Sequence, residues 1–144
     1  MGLRIVSKPN KIVVRIPENR AMMKAKMETD AVAVTQRKEA LERELQRIVA
    51  TLIEKYKPEK IILFGSLTTG RIHEWSDIDL LVVKETEERP LDRVRKVIAM
   101  LNYPRIAVDI FIYTPQELEY LIGQGSQSIA EVFEQGKVLY ERDN

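Results

Sequence analysis

KIILFGSLTTGRIHEWSDIDLLVV, from Lys60 to Val83, places a Gly-Ser corner and two closely spaced carboxylates at the ends of two apolar runs. Lys60 to Phe64 is short, rich in Ile and followed at once by glycine, which reads as a buried strand ending in a tight turn. At Gly65-Ser66 the backbone can pass close to a ligand, because glycine has no Cβ. If the next residues open a helical turn, their unpaired N–H groups and the positive end of the dipole point outward, an arrangement suited to phosphate. Ser66 is then a candidate phosphate contact, set against the plainer reading of a helix cap.

Ten residues separate this corner from Asp77-Ile78-Asp79, and Leu80 to Val83 follow directly, so Asp79 already lies in a second strand. Residues i and i+2 of a strand share a face, which puts the Asp77 and Asp79 Cα atoms about 6–7 Å apart on one side. Like charges so placed repel, and a bound divalent cation keeps both ionised. Oxygen-only ligands favour Mg²⁺ or Mn²⁺ over zinc. By itself an Asp-x-Asp ahead of a strand is more often turn chemistry than a metal site. Asp109 shifts that balance. Ile106 to Ile112 is apolar apart from this one acid, an isolated charge that is expensive to bury. Alternation sets Asp109 on a face with Ala107 and Phe111, opposite Ile106, Val108, Ile110 and Ile112. If the two strands are neighbours, three carboxylates meet at a spacing of about 4.8 Å. That is a cradle for two metal ions about 3.5–4 Å apart, as used in phosphoryl transfer. Relief of repulsion also predicts that Asp77→Asn or Asp79→Asn leaves the metal-free fold intact or more stable.

Gly65-Ser66, ten intervening residues, Asp77-x-Asp79 and the later strand residue Asp109 resemble the minimal nucleotidyltransferases of the DNA polymerase beta superfamily. The resemblance extends from about Leu41 to Tyr140. It implies an α+β fold with a polymerase beta-like mixed sheet packed against helices, here preceded by an N-terminal basic arm. It implies also a reaction, the transfer of a nucleoside monophosphate from a triphosphate, ATP being the expected donor, to an acceptor hydroxyl. Two Mg²⁺ ions, or Mn²⁺ in their place, would assist. On that reading Asp77, Asp79 and Asp109 are the catalytic and metal-holding residues, and Gly65 and Ser66 bind the β- and γ-phosphates. Many such enzymes carry a basic residue just after the Gly-Ser, where this chain has Leu67-Thr68-Thr69, so Arg71 and Lys84 are the candidate substitutes. A second implication is a binding module. Minimal nucleotidyltransferases also serve as antitoxins that neutralise helical HEPN ribonuclease toxins, some by adenylylating them, so a HEPN-type partner protein is expected.

Length and composition set outer bounds. The 144 residues suit one domain, and 44% hydrophobic with 31% charged residues is ordinary for a chain that buries a modest core. There is no cysteine, which excludes a disulfide framework, a thiolate zinc site and a cysteine nucleophile, and is compatible with the expected cytoplasmic location. Neither a signal peptide nor a membrane span is expected, because Arg4, Lys8, Lys11 and Arg15 interrupt the first apolar residues. The net charge of +1 hides an asymmetry: residues 1–38 carry nine Lys or Arg against Glu18, Glu28 and Asp30. We therefore divide the chain into a basic arm, 1–38, and a nucleotidyltransferase domain, 39–144. RNA is a conceivable partner of the arm, but it has no aromatic residue for base stacking, and a solvated charged face is the default.

Along the chain, Leu3 to Ser7 and Lys11 to Ile16 alternate around Lys8-Pro9-Asn10 and suggest a hairpin or an added edge strand. Leu41, Leu45, Ile48, Val49, Leu52, Ile53 and Tyr56 mark one face of a helix that Pro58 ends. Met27, Ala31 and Val34 continue its stripe backward, broken only by Lys38, which predicts a long helix and, through its N-terminal half, a homo-oligomer or partner contact. Pro90 opens a crossover helix with Leu91, Val94, Val97, Ile98 and Leu101 inward. Thr114-Pro115-Gln116-Glu117 and Ser128-Ile129-Ala130-Glu131 read as capping boxes, and Lys137 to Glu141 as a final edge strand. His73, the single histidine, is more simply an exposed loop residue than a phosphate contact. Trp75 could stack on a base or anchor its loop, and Tyr103, Tyr113, Tyr120 and Tyr140 are assigned to core packing. So small a chain leaves its site open on one side, which predicts a macromolecular acceptor, a partner protein ahead of RNA.

Overall fold

A computed structural model of the chain describes residues 4–8, 11–16, 30–73, 76–102 and 104–143. Six strands, β1 (Arg4–Lys8), β2 (Lys11–Ile16), β3 (Lys60–Phe64), β4 (Ile78–Val83), β5 (Val108–Tyr113) and β6 (Lys137–Glu141), form one sheet in the order β1-β2-β5-β4-β3-β6. Four of the neighbouring pairs are antiparallel and β4–β5 is parallel, so the sheet is mixed. A parallel pair needs a long connection, and here it is the helix α3 (Pro90–Leu101). The expected hairpin exists and joins the sheet through β2–β5, while the boundary drawn at residue 38 falls inside the helix α1 (Asp30–Thr51).

α1 has no glycine or proline, and Leu41 and Ile48, continued by Leu52 just beyond it, form its buried inner face. It continues into a wider π-helical turn, Leu52–Tyr56, closed by Lys57 in the left-handed conformation (φ 54°), whose N–H donates to Leu52 O. Pro58 then cannot prolong the helix. The buried stripe is turned relative to the predicted one: Ala33, Arg37, Leu41, Glu44, Ile48 and Leu52 are buried, whereas Val34 and Leu45 are half-buried. Met27, Trp75 and Tyr103 lie outside the described residues.

Helices cover both faces of the sheet. α1 and α3 pack on Ile61, Leu63, Ile78, Leu80, Val82, Val108, Ile110 and Ile112 through Leu41, Ile48, Val94, Val97 and Leu101. On the other face α4 (Pro115–Gly123) and α5 (Gln127–Gln135) bring Leu118, Leu121, Ile129 and Val132 onto Ile62, Leu81, Val83 and Tyr113. α4 opens on the predicted capping box, with Thr114 Oγ1 accepting from Glu117 N and the Glu117 carboxylate accepting from Thr114 N. The second box is displaced: the cap of α5 is Ser126, which accepts from Ile129 N, and Ser128 is already inside the helix. Two residues separate the alternatives, and the turn through Gly125, at φ 76°, decides for the earlier serine. Exposed Tyr120 does not join the core. Among the described residues no helix is long and apolar enough to cross a membrane.

One tie between α3, α4 and the sheet carries a pH signature. Buried Arg93 donates to the Glu117 carboxylate (2.6 Å) and to Glu88 O (2.9 Å). Burial pushes the Glu117 carboxyl up, but the bonds from Arg93 and Thr114 outweigh it and hold the carboxyl below its ordinary range. A carboxyl depressed in the folded state stabilises the fold above its ordinary pKa, and that contribution is lost as pH falls through the folded value. Glu117→Gln keeps the capping-box geometry and removes the charge. Because the Glu117 side chain is 38% exposed, the loss at pH 7 should be only about 1 kcal/mol. The difference in Tm from wild type should close below about pH 4; a difference independent of pH would show that the ion pair is not its source.

Candidate active site

At the end of β3 the chain turns at Gly65 (φ 81°, ψ −157°), a conformation that other residues adopt only under strain, and enters the single helical turn α2 (Ser66–Thr69). Gly65 O closes that turn, accepting from Thr68 N (3.1 Å), Thr69 N (3.3 Å) and Thr68 Oγ1 (2.7 Å). There is also no room for a side chain here. A Cβ on Gly65 would collide with Asp79 Oδ2 and lie 3.1 Å from Asp79 Cγ. The glycine thus lets the corner backbone close directly onto a carboxylate.

That carboxylate is placed by strand register. Asp79 pairs with Phe64 of β3 on one side and with Asp109 of β5 on the other. Ile78, Leu80 and Val82 face α1 and α3, as do Val108, Ile110 and Ile112, so alternation puts Asp79 and Asp109 together on the opposite face, in line with Leu81 and Phe111. The predicted neighbourhood of the two acid-bearing strands is therefore present, with the two aspartates directly opposed. Arg15 of β2 stands at the position paired with Asp109.

Asp77 precedes β4 rather than lying within it, and it is reached from the helical layer. Arg37, on α1 and fully buried, donates through Nε to Ser76 O (2.8 Å), and its NH2 lies 3.5 Å from Asp77 Oδ1. Ser76 is buried as well, and its Oγ accepts from His73 N (2.8 Å). This changes one expectation. Asp79→Asn removes a carboxylate opposed to another, but Asp77→Asn would strip a carboxylate from a buried guanidinium, so it should destabilise rather than stabilise.

All three acids offer oxygen donors, two of them in direct register and the third two residues away, a donor set that fits a hard divalent cation. Among the described residues no group of three His, Cys, Asp or Glu side chains is placed to hold a metal ion, so the expected meeting of three carboxylates is not seen. Each of the three aspartates is instead engaged with other groups of the protein.

The remaining candidates separate. Ser66 is half-buried at the corner itself, and Arg71 is exposed on the loop just beyond Gly70. Lys84 is not brought to the corner: five residues along β4 carry it about 16 Å from Asp79. There its ammonium donates to Lys57 O (3.2 Å) and lies 5.3 Å from the centre of the Tyr56 ring. His73 is exposed. Arg37 and Ser76 are the residues that sequence reading missed. The signal for Arg37 was its position four residues before Leu41, on the face that Leu41, Ile48 and Leu52 bury.

A cleft of about 310 Å³ adjoins the corner at Gly65; Phe64, Thr68, Phe111, Glu131 and Gln135 are among its lining residues, and none of the three aspartates is. Phe64 and Phe111, among its lining residues, have ring centres 5.3 Å apart. A larger cavity of about 420 Å³, between α4, α5 and the far ends of β3, β4 and β6, is remote from the three aspartates, and of these two only the corner cleft includes Gly65.

Comparison with known proteins gives concordant findings. The family model of polymerase beta nucleotidyltransferases matches residues 46–144. A protein of Methanocaldococcus jannaschii, provisionally named a protein adenylyltransferase, is 29% identical over 113 residues, 72% of this chain and 76% of that protein. The crystal structure of a provisionally named nucleotidyltransferase from Sulfolobus solfataricus superposes with a TM-score of 0.54 at 20% identity, over 81% of this chain and 93% of that one.

Proposed function

The chain belongs to the polymerase beta nucleotidyltransferase family, and from that premise we propose that it transfers AMP from ATP to a hydroxyl on a partner protein, as a minimal nucleotidyltransferase. The observation that carries this reading is the direct opposition of Asp79 and Asp109 across β4–β5, with Gly65 closed onto Asp79. The acceptor oxygen forms the new bond to the α-phosphorus, the bond to pyrophosphate breaks in line, and the hydroxyl proton passes to a carboxylate or to solvent. Magnesium, held by Asp77, Asp79 and Asp109, would supply Lewis-acid charge at the phosphoryl oxygens and lower the pKa of the hydroxyl. Gly65 gives the triphosphate a close approach to the backbone, and Ser66 offers it a hydroxyl. Phe64 and Phe111 contribute apolar surface to the adjoining cleft.

One observation favours a macromolecular acceptor. The relative from Methanocaldococcus jannaschii bears the name of an enzyme that modifies proteins. Transfer assayed with small alcohols, sugars and aminoglycosides should be weak, and assayed with a helical protein encoded beside this chain it should be strong. A kcat/KM above about 10⁴ M⁻¹s⁻¹ on a small hydroxyl compound would refute the macromolecular acceptor.

A further inference from the structure

Arg37 is the one charged side chain among the described residues with no exposed surface, and its position is unusual in a second way. It belongs to α1, 39 and 40 residues from Ser76 and Asp77, yet both of these lie in the loop that delivers the first carboxylate of the site. A guanidinium removed from water needs compensating acceptors. Its bond to Ser76 O, at 2.8 Å, is well formed. The 3.5 Å separation from Asp77 Oδ1 is longer than a charge-assisted hydrogen bond, usually about 2.7–2.9 Å. Arg37 therefore fixes the peptide through a hydrogen bond and acts on the carboxylate mainly through its charge.

We propose that Arg37 is a positioning residue of the carboxylate site: from α1 it sets the Ser76–Asp77 peptide, keeps the Asp77 side chain turned toward it before ligand arrives, and places a fixed positive charge beside the carboxylate that a divalent cation would approach. The inference rests on the nucleotidyl-transfer reading for its kinetic consequence and on geometry alone for its electrostatic one. A cation entering beside Asp77 meets the field of a fixed positive group. Removing that group should therefore loosen the placement of Asp77 while lessening repulsion of the cation. These effects have opposite signs on turnover and on cation affinity, which a merely structural role would not produce.

The test uses Arg37→Met and Arg37→Lys in the full chain, with Tm, kcat and KM for ATP, and titration of the nucleotide-free protein with Mn²⁺ followed by water-proton relaxation. Arg37→Met should lower kcat about 10²-fold, the scale of a misplacement of about 1 Å, with KM for ATP little changed and Mn²⁺ bound as tightly as by wild type or more tightly. Arg37→Lys, which keeps a cation but not the planar fork, should hold Mn²⁺ affinity near wild type and recover only part of kcat. It also preserves the test if the methionine variant does not fold. Unchanged kcat in Arg37→Met, or full activity in Arg37→Lys, overturns the proposal. So does weakened Mn²⁺ binding that tracks a fall in Tm, since that marks simple structural support. Wild-type protein that binds Mn²⁺ but transfers no nucleotide would refute the transfer reading instead, and the Mn²⁺ titrations would still decide the role of Arg37.

Discussion

Asp79→Asn should lower nucleotidyl transfer by about 10³-fold or more, roughly 4 kcal/mol of transition-state stabilisation, without destabilising the fold. Both halves follow from position. Asp79 is opposed in register to Asp109 and lies against the Gly65 corner, so on the proposed reading it would meet both the metal and the triphosphate. Asn is isosteric and adds no bulk against Gly65. What disappears is one of two charges directly opposed on neighbouring strands, and relief of that repulsion offsets what the side chain loses with the groups that engage it. Denaturation of the metal-free protein should give equal or slightly greater stability, while a transfer assay at saturating ATP shows the loss. Asp77→Asn is the informative contrast, because its partner is the buried Arg37. It should lose both transfer and about 1–3 kcal/mol of stability, less than the loss of a fully buried partner because the Asp77 side chain keeps 16% exposure. If both variants keep wild-type transfer, the carboxylates are structural.

Gly65→Ala should be comparably severe for a different reason. At φ 81° and ψ −157° an L-residue is strained by about 1–3 kcal/mol, and the added methyl group would have to displace the Asp79 carboxylate. The displacement is the larger effect on function. Moving a positioned group by about 1 Å costs on the order of 10²-fold in rate, and here the group that moves is the Asp79 carboxylate. Denaturant titration should show the lower stability, and transfer should fall by at least that factor. Should Gly65→Ala lose only stability, the corner is a turn and not an approach point for phosphate.

How much of this was legible in the sequence depended on whether a feature is local. The Gly-Ser corner, the Asp-x-Asp and the Thr114 capping box are each written within a few residues, and the sheet face of Asp109 followed from alternation around it. The features that eluded sequence reading are set by burial and by strand direction. Arg37 lies in a segment with nine basic residues, and a charge count suggests a solvated arm. Its spacing from Leu41 pointed inward, but only the loop it meets, some forty residues away, explains why a charge is tolerated there. Lys84 misled in the opposite way. It is near Asp79 in sequence, yet an extended strand converts five residues into about 16 Å, and it ends at Lys57 and Tyr56. The parallel pairing that brings Asp109 beside Asp79 stayed conditional at the level of sequence, since a helical crossover does not by itself fix which strands are neighbours.

The central claim is that this site moves a nucleotide and not a phosphate, and the position of a label in ATP tests it most directly. The protein would be incubated with Mg²⁺ and its candidate partner protein in parallel with ATP labelled at the α- or the γ-phosphate, and the acceptor then analysed for label and mass. The account predicts label on the partner from α-labelled ATP alone, an added AMP by mass, release of pyrophosphate, and none of these with Asp79→Asn. Label transferred from the γ-position would contradict it.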